Sequence, residues 1–166
     1  MPVMRYTITV LVQNHYGVLS KVAGLIARRG FNIASLAVGV TENPDVSRMT
    51  IAIDCDESGI EQVEKQLNKL IPTIKVKVLE EGSYLARELT MVKVSCNSRQ
   101  REEIMTLAEL MHARIIDVTS TSLTLELTDT TARTENFISL MRPFGIKELV
   151  RTGISAIELG ANTTKK

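Results

Sequence analysis

The stretch "QNHYGVLSKVAGLIARRGFNI", Gln13 to Ile33, decides the fold. Just ahead of it, "RYTITVLVQ" alternates, with Tyr6, Ile8, Val10 and Val12 on one face, the pattern of a half-buried strand. From Val18 the apolar spacing becomes helical through Leu19, Val22, Ala23 and Ile26, and Gly30 stands where a C′ glycine ends a helix. "IASLAVGV" alternates again, with Leu36, Val38 and Val40 turned to the core side. Strand and helix are joined by a tight loop, "NHYG", which carries amide, imidazole, phenol and glycine where a helix N-terminus opens.

Outward from this stretch, "ENPD" reads as a turn and "SRMTIAID" as a strand with Met49, Ile51 and Ile53 inward. "ESGIEQVEKQLNKLI" predicts a helix with one stripe of Ile60, Val63, Leu67, Leu70 and Ile71, stopped by Pro72. "TIKVKV" closes a β-α-β-β-α-β order over residues 4–81. After a linker at 82–87, the order recurs over 88–160: strand "ELTMVKVSC", helix "QREEIMTLAELMH", strands "IIDVT" and "SLTLEL", helix "TENFISLMRPF" and strand "IKELVRTG". Residues 161–166 read as a polar, disordered tail. The expected class is α+β, two ferredoxin-like units, each an antiparallel sheet with its helices on one face.

The opposite face of the first sheet would carry small residues: Thr7, Thr9, Ala37, Gly39, Thr50 and Ala52. It is either solvated or packed against a partner. The strand after Asn32 would be a long edge, which pairing in a homodimer would cover.

Composition excludes several functions. Of 166 residues 23% are charged and the net charge is +1. The charge is balanced on both sides of Gly82, with nine basic against nine acidic residues before it and eleven against ten after. Neither half has the basic excess of a nucleic-acid binder. No apolar run is long enough to span a membrane and nothing resembles a signal peptide, so the expected address is the cytoplasm. Cys55 and Cys96 are distant in sequence and suit a reducing compartment. His15 and His112 lack ligand-spaced neighbours, and Asp54, Asp56, Glu57 and Glu61 read as a turn and an acidic helix start rather than a cation loop. There is no nucleophile elbow, Walker loop or dinucleotide fingerprint. Relatives in fold that carry metals, hydrolyse acyl phosphates or read RNA need a Cys-x-x-Cys, an Arg in the first loop, or stacking aromatics; "NHYG" and a 4% aromatic content supply none.

The loop instead suits a small zwitterion. A helix opening at Gly17 or Val18 leaves backbone N–H groups free for a carboxylate. Gly17 permits close approach or positive φ, and Asn14 and Asn32 each offer both donor and acceptor. The competing reading is purely local: Asn14 caps the helix, Gly17 makes a turn, and Asn32 follows a C′ glycine.

The Asn-x-x-Gly-Val-Leu, Arg-Gly-Phe-Asn-Ile and Ser-Arg-Met-Thr-Ile segments of residues 14–51 together resemble the amino-acid-sensing ACT domain of the acetohydroxyacid synthase (acetolactate synthase) small regulatory subunits. "RELTMVKV", "IIDVTSTSLTLEL" and "KELVRTG" are similar to that family's C-terminal domain. The pattern departs at Ile26, where Phe is frequent, and at Leu159, where a basic residue often precedes the glycine.

The resemblance implies a non-catalytic subunit that dimerises through its ACT domains, stimulates a catalytic large subunit, and conveys feedback inhibition by valine or a related branched-chain amino acid. Thiamine diphosphate, magnesium and FAD would reside on the large subunit, none on this chain. Carried over by motif, the effector loop is Asn14, His15, Tyr16, Gly17, Val18 and Leu19, with Ser20 in the first helical turn and Asn32 and Ile33 supplied by the other protomer. A free-standing ACT-type sensor controlling transcription or another enzyme is the alternative; no helix-turn-helix or basic unit favours it.

Overall fold

The computed structural model describes residues 2–165. The described residues of Met1–Ala86 and Ile154–Lys166 form one compact unit, and Arg87–Gly153 a second.

In the first unit, strand β1 (Met4–Gln13) leads to helix α1 (Val18–Arg28), strands β2 (Asn32–Val40) and β3 (Val46–Cys55), helix α2 (Glu57–Asn68) and strand β4 (Thr73–Leu79). The antiparallel sheet has the order β2-β3-β1-β4. The alternation read from sequence is realised in its two central strands: Ile8, Val10 and Val12 pair in register with Ile51, Met49 and Ser47, and the apolar ones are fully buried under the helices. Val22, Ile26, Val63 and Leu67 complete that core. Helix α1 ends as the sequence requires. Gly30 takes φ +76°, with Gly30 N–H on Ala27 O and Phe31 N–H on Ile26 O, a Schellman pair.

In the second unit, strand β5 (Tyr84–Ser95) starts within the first. It is followed by helix α3 (Ser98–Met111), strands β6 (Arg114–Val118) and β7 (Ser122–Asp129), helix α4 (Thr131–Met141), a 3-10 turn at Arg142–Phe144 and strand β8 (Ile146–Arg151). The order β6-β7-β5-β8 repeats the first sheet's topology. Val92, Val94, Leu123 and Leu125 pack beneath Ile104, Phe137 and Met141. Arg151 crosses from β8 to bond buried Glu88 and, on α4, Glu135, both at 2.6 Å.

Several expectations change. Leu19 is 45% exposed and Leu25 takes its place in the core, because the buried face of α1 is centred on Val22 and Ile26. Helix α2 stops at Asn68, and Ile71 is 94% exposed rather than part of the stripe. The residue before Pro72 is biased away from helical backbone, so the helix ends earlier. Val38 and Val40 lie at the end of an edge strand and stay largely exposed. Residues 84–87 of the expected linker are the beginning of a twelve-residue strand. The expected second unit of 88–160 loses residues 154–160, which return to the first.

The outer face of the first sheet is covered over its central strands β1 and β3, whereas on β2 Ala37 is half-buried and Gly39 exposed. Strand β9 (Ser155–Glu158) pairs with β5, and Leu159 N–H donates to Ser83 O at 2.9 Å, so a two-stranded ribbon lies on that face. Thr7, Thr9, Thr50 and Ala52 are consequently buried. Their hydroxyls are satisfied: Thr7 Oγ1 meets Tyr84 OH at 3.2 Å, Thr50 Oγ1 accepts from Ala156 N–H at 3.3 Å, and Arg48 reaches Thr9 Oγ1 at 3.5 Å and Ala156 O at 2.8 Å. Buried Glu158 accepts from Lys77 and, at 3.1 Å, from Thr164. The tail expected to be disordered is thus anchored through Thr164, which is buried, and Lys165, whose ammonium pairs with Glu42 and whose backbone carbonyl accepts from Lys75 Nζ; Lys166 lies outside the described residues.

Lys77, then Thr164 and the nearby charge of Arg48, hold the Glu158 carboxyl below its ordinary range despite its burial. A group depressed in the folded state stabilises fully above its ordinary value and ceases to as pH falls through the lowered one. The difference in thermal midpoint between the parent and Glu158→Gln is therefore largest near neutral pH and shrinks on acidification, measured by melting at stepped pH.

Candidate functional site

The loop Asn14–Gly17 is fixed from below by backbone and from the side by the turn between β2 and β3. Asn14 N–H donates to Asp45 O at 2.8 Å, and Asn14 Nδ2 donates to Pro44 O at 2.9 Å. Asn14 is therefore not the cap of α1. Gly17 occupies the N-cap position at φ +80°, and no side chain caps the helix. The first intrahelical bond runs from Lys21 N–H to Gly17 O at 3.0 Å. The N–H groups of Val18, Leu19 and Ser20 have no intrahelical acceptor, and the first turn has no acidic residue.

The other helices differ. Asp56 Oδ1 accepts from Gly59 N–H at 2.8 Å, Asn97 and Gln100 make a reciprocal capping box, and Thr130 Oγ1 accepts from Arg133 N–H at 3.4 Å. Helix α3 occupies in the second unit the place of α1 in the first, and its start is closed by its own Asn97. Only α1 of these four leaves its positive end unoccupied by a side chain, in a conformation only glycine takes without strain.

The remaining residues of the expected site have different surroundings. His15 Nε2 lies 3.0 Å from Gln13 Oε1, and the ring is exposed. The Tyr16 side chain is fully exposed. Val18 is 3% exposed and belongs to the core rather than to a free lining, whereas Leu19 and Ser20 face outward. Asn32 is exposed; Ile33 is half-buried against the core, with the strand register shifting just after it, between Ile33 and Ser35. Asn32 pairs with Asp54, whereas Val40 pairs with Ser47 and Gln13 with Val46. Asn32 and the Asn14 loop thus stand at opposite ends of the sheet, and one protomer does not bring them together.

The neighbouring carboxylates are engaged. Asp54 takes a two-pronged bond from Arg5, both contacts 2.8 Å, and that hydrogen bonding lowers its pKa. Asp56 is lowered first by the Gly59 N–H and then by Ser58. Among the described residues no group of three or more His, Cys, Asp or Glu could hold a metal ion, and no helix is long and apolar enough to cross a membrane. Sequence reasoning missed Pro44 and Asp45 as partners of Asn14. Only the fold brings that turn beside the loop.

The four-stranded sheet, with an uncapped first helix opened by glycine, has the ferredoxin-like βαββαβ arrangement. Residues 8–75 match the model of the AHAS small subunit-like ACT domain, and residues 87–160 match that of the small subunit of acetolactate synthase. The chain belongs to the family of acetolactate synthase small subunits. It is 51% identical over 157 residues to a probable acetolactate synthase small subunit of Archaeoglobus fulgidus, covering 95% of this chain and 98% of that one. It is 43% identical over 155 residues to the acetolactate synthase small subunit of Mycolicibacterium smegmatis, covering 93% and 91%. The crystal structure of the acetolactate synthase small subunit from Thermotoga maritima superposes with a TM-score of 0.89 at 37% identity, over 96% of this chain and 99% of that one.

A Cβ at Gly17 would meet nothing within 4 Å, so substitution there is a matter of backbone strain alone. Gly17→Ala should cost about 1–2 kcal/mol, the left-handed penalty of an ordinary residue, with Gly17→Asn costing less. Urea unfolding of the three proteins checks this.

Proposed function

We propose that this chain is the non-catalytic regulatory subunit of acetolactate synthase, stimulating a separate thiamine-diphosphate-dependent subunit and imposing feedback inhibition by valine or a related branched-chain amino acid. The observation that carries the effector reading is the open N-terminus of α1 behind Gly17, in a member of this family. The effector carboxylate takes the N–H groups of Val18, Leu19 and Ser20. The Asn14 carboxamide, whose Oδ1 has no partner among the described residues, takes the ammonium. Leu19, outward and apolar, meets the branched side chain. The cofactors, thiamine diphosphate, magnesium and FAD, belong to the catalytic subunit, and the complex works in the cytoplasm.

The exposed edge β2, with Val38 at 45% and Val40 at 61% exposure, supports a homodimer. Antiparallel pairing of β2 with its mate across a two-fold axis sets Asn32 of one copy opposite Val40 of the other, at the end where the Asn14 loop lies. That arrangement supplies the contribution of Asn32 and Ile33 that a single protomer cannot make. Val38→Lys places a charge on this edge. It should shift the protein toward monomer in sedimentation velocity while the circular dichroism spectrum stays that of the parent.

The deciding experiment is acetolactate output of the chain reconstituted with the catalytic subunit, against rising valine, leucine or isoleucine. The chain alone, given thiamine diphosphate and magnesium, should make none. Gly17→Asp sets a carboxylate where the ligand's own arrives, and Asn32→Ala removes a contact worth about 1–3 kcal/mol if its partner stays buried. Both should stimulate normally yet resist inhibition. If both remain as sensitive as the parent, the loop holds no effector.

A further inference from the structure

The chain leaves the first unit at Ala86 and returns at Ile154, so Arg87–Gly153 is an insertion whose two connections both emerge from the ribbon of early β5 and β9. The ribbon is clamped to the sheet at its centre, where Arg48 on β3 holds Ala156 O and Thr50 holds Ala156 N–H, and on one side, where Lys77 on β4 and Thr164 hold the buried Glu158. Its far end returns to the turn between β2 and β3, where Lys165 pairs with Glu42. The same turn accepts both hydrogen bonds of Asn14, at Asp45 O and Pro44 O. One turn therefore touches both the effector loop and the segment coming back from the inserted unit.

We propose that residues 154–165 are the output arm of the effector site, passing a change at Asn14 through the Glu42–Asp45 turn to the ribbon and, by chain continuity, to Arg87–Gly153. This rests on the effector reading above and adds the route by which occupancy leaves the first unit. A ligand shifts an equilibrium only through contacts that differ between two states. The Asn14 carboxamide offers such a contact, since its orientation is fixed by Pro44 O and a ligand drawing on it changes the pull on that turn. The Lys165–Glu42 pair is about two-thirds exposed on each side and too solvated to hold the arm by itself. The arm's position is set by half-buried Arg48 and by the buried Glu158 with Lys77, so loosening those contacts uncouples binding from response.

The test uses the full chain with Arg48→Met and, separately, Glu158→Gln. Three quantities are read: amide exchange over 154–165, calorimetric binding of valine to the chain, and valine inhibition of the reconstituted complex. Both variants should exchange faster over 154–165 and bind valine within about twofold of the parent, yet need at least about fivefold more valine for half-inhibition, the lower range of ordinary allosteric coupling. Faster exchange with parental inhibition overturns the output arm and leaves the effector reading standing. Unchanged exchange in both variants overturns the clamp. A fall in valine binding as large as the fall in inhibition makes the ribbon a support of the pocket and overturns the relay. If the parent binds neither valine, leucine nor isoleucine, the effector reading fails and this inference with it.

Discussion

A sheet face that carries threonine hydroxyls and a guanidinium cannot be shut away from water unless something accepts and donates on its behalf. In this protein the ribbon does so. Burial pushes the Arg48 guanidinium down from its ordinary pKa, countered by the charge of Glu158, and its hydrogen bonds go to a backbone carbonyl and a threonine. The polar residues of strands β1, β3 and β4 thereby become a second interior. The first unit owes part of that layer to β9, which follows β4 only after the whole of Arg87–Gly153.

This closure has consequences for the helical side. With both faces of the central strands covered, the sheet presents its edge β2 and the loops at its ends. The loop end beside Asn14 combines an uncapped helix, a left-handed glycine and a turn that takes both amide hydrogen bonds of one asparagine. An uncapped helix end of this kind offers fixed backbone dipoles to a charged group. The second unit repeats the topology but not this arrangement, because Asn97 Oδ1 accepts from the Arg99 and Gln100 N–H groups, whose counterparts in α1 have no side-chain acceptor.

Most of the element order was readable from periodicity. Alternation in Ile8–Val12 and Met49–Ile53, helical spacing in Ile60–Leu67, and the glycine at 30 each specify a local structure with little help from distant residues. Where the reading failed, the competing influence is identifiable. Ile71 fitted the helical stripe, but Pro72 restrains its backbone. Leu19 fitted the period, but the stripe that reaches the core runs through Leu25. "SAIELG" is only a short alternating run, and nothing near it in sequence announces that Ala156 and Glu158 face Thr50 and Lys77.

The sequence by itself determined that there are two β-α-β-β-α-β units, most of the helix-covered core, and that a helix opens at Gly17 or Val18 in a chain that resembles the acetolactate synthase small subunits. Those properties follow from side-chain period, backbone permission at glycine and motif, all of which are local. Only the tertiary structure decided that the last residues close the first sheet, that Asn14 is committed to Pro44 instead of capping α1, and that Asn32 stands at the far end of its own protomer. The first two are pairings of polar groups 30 to 123 positions apart and the third is a strand register, all set by chain return rather than by neighbours. Where such a pairing is buried, as between Thr50 and Ala156, burial selects it, since a polar group taken from water must find its partner wherever the fold has put one.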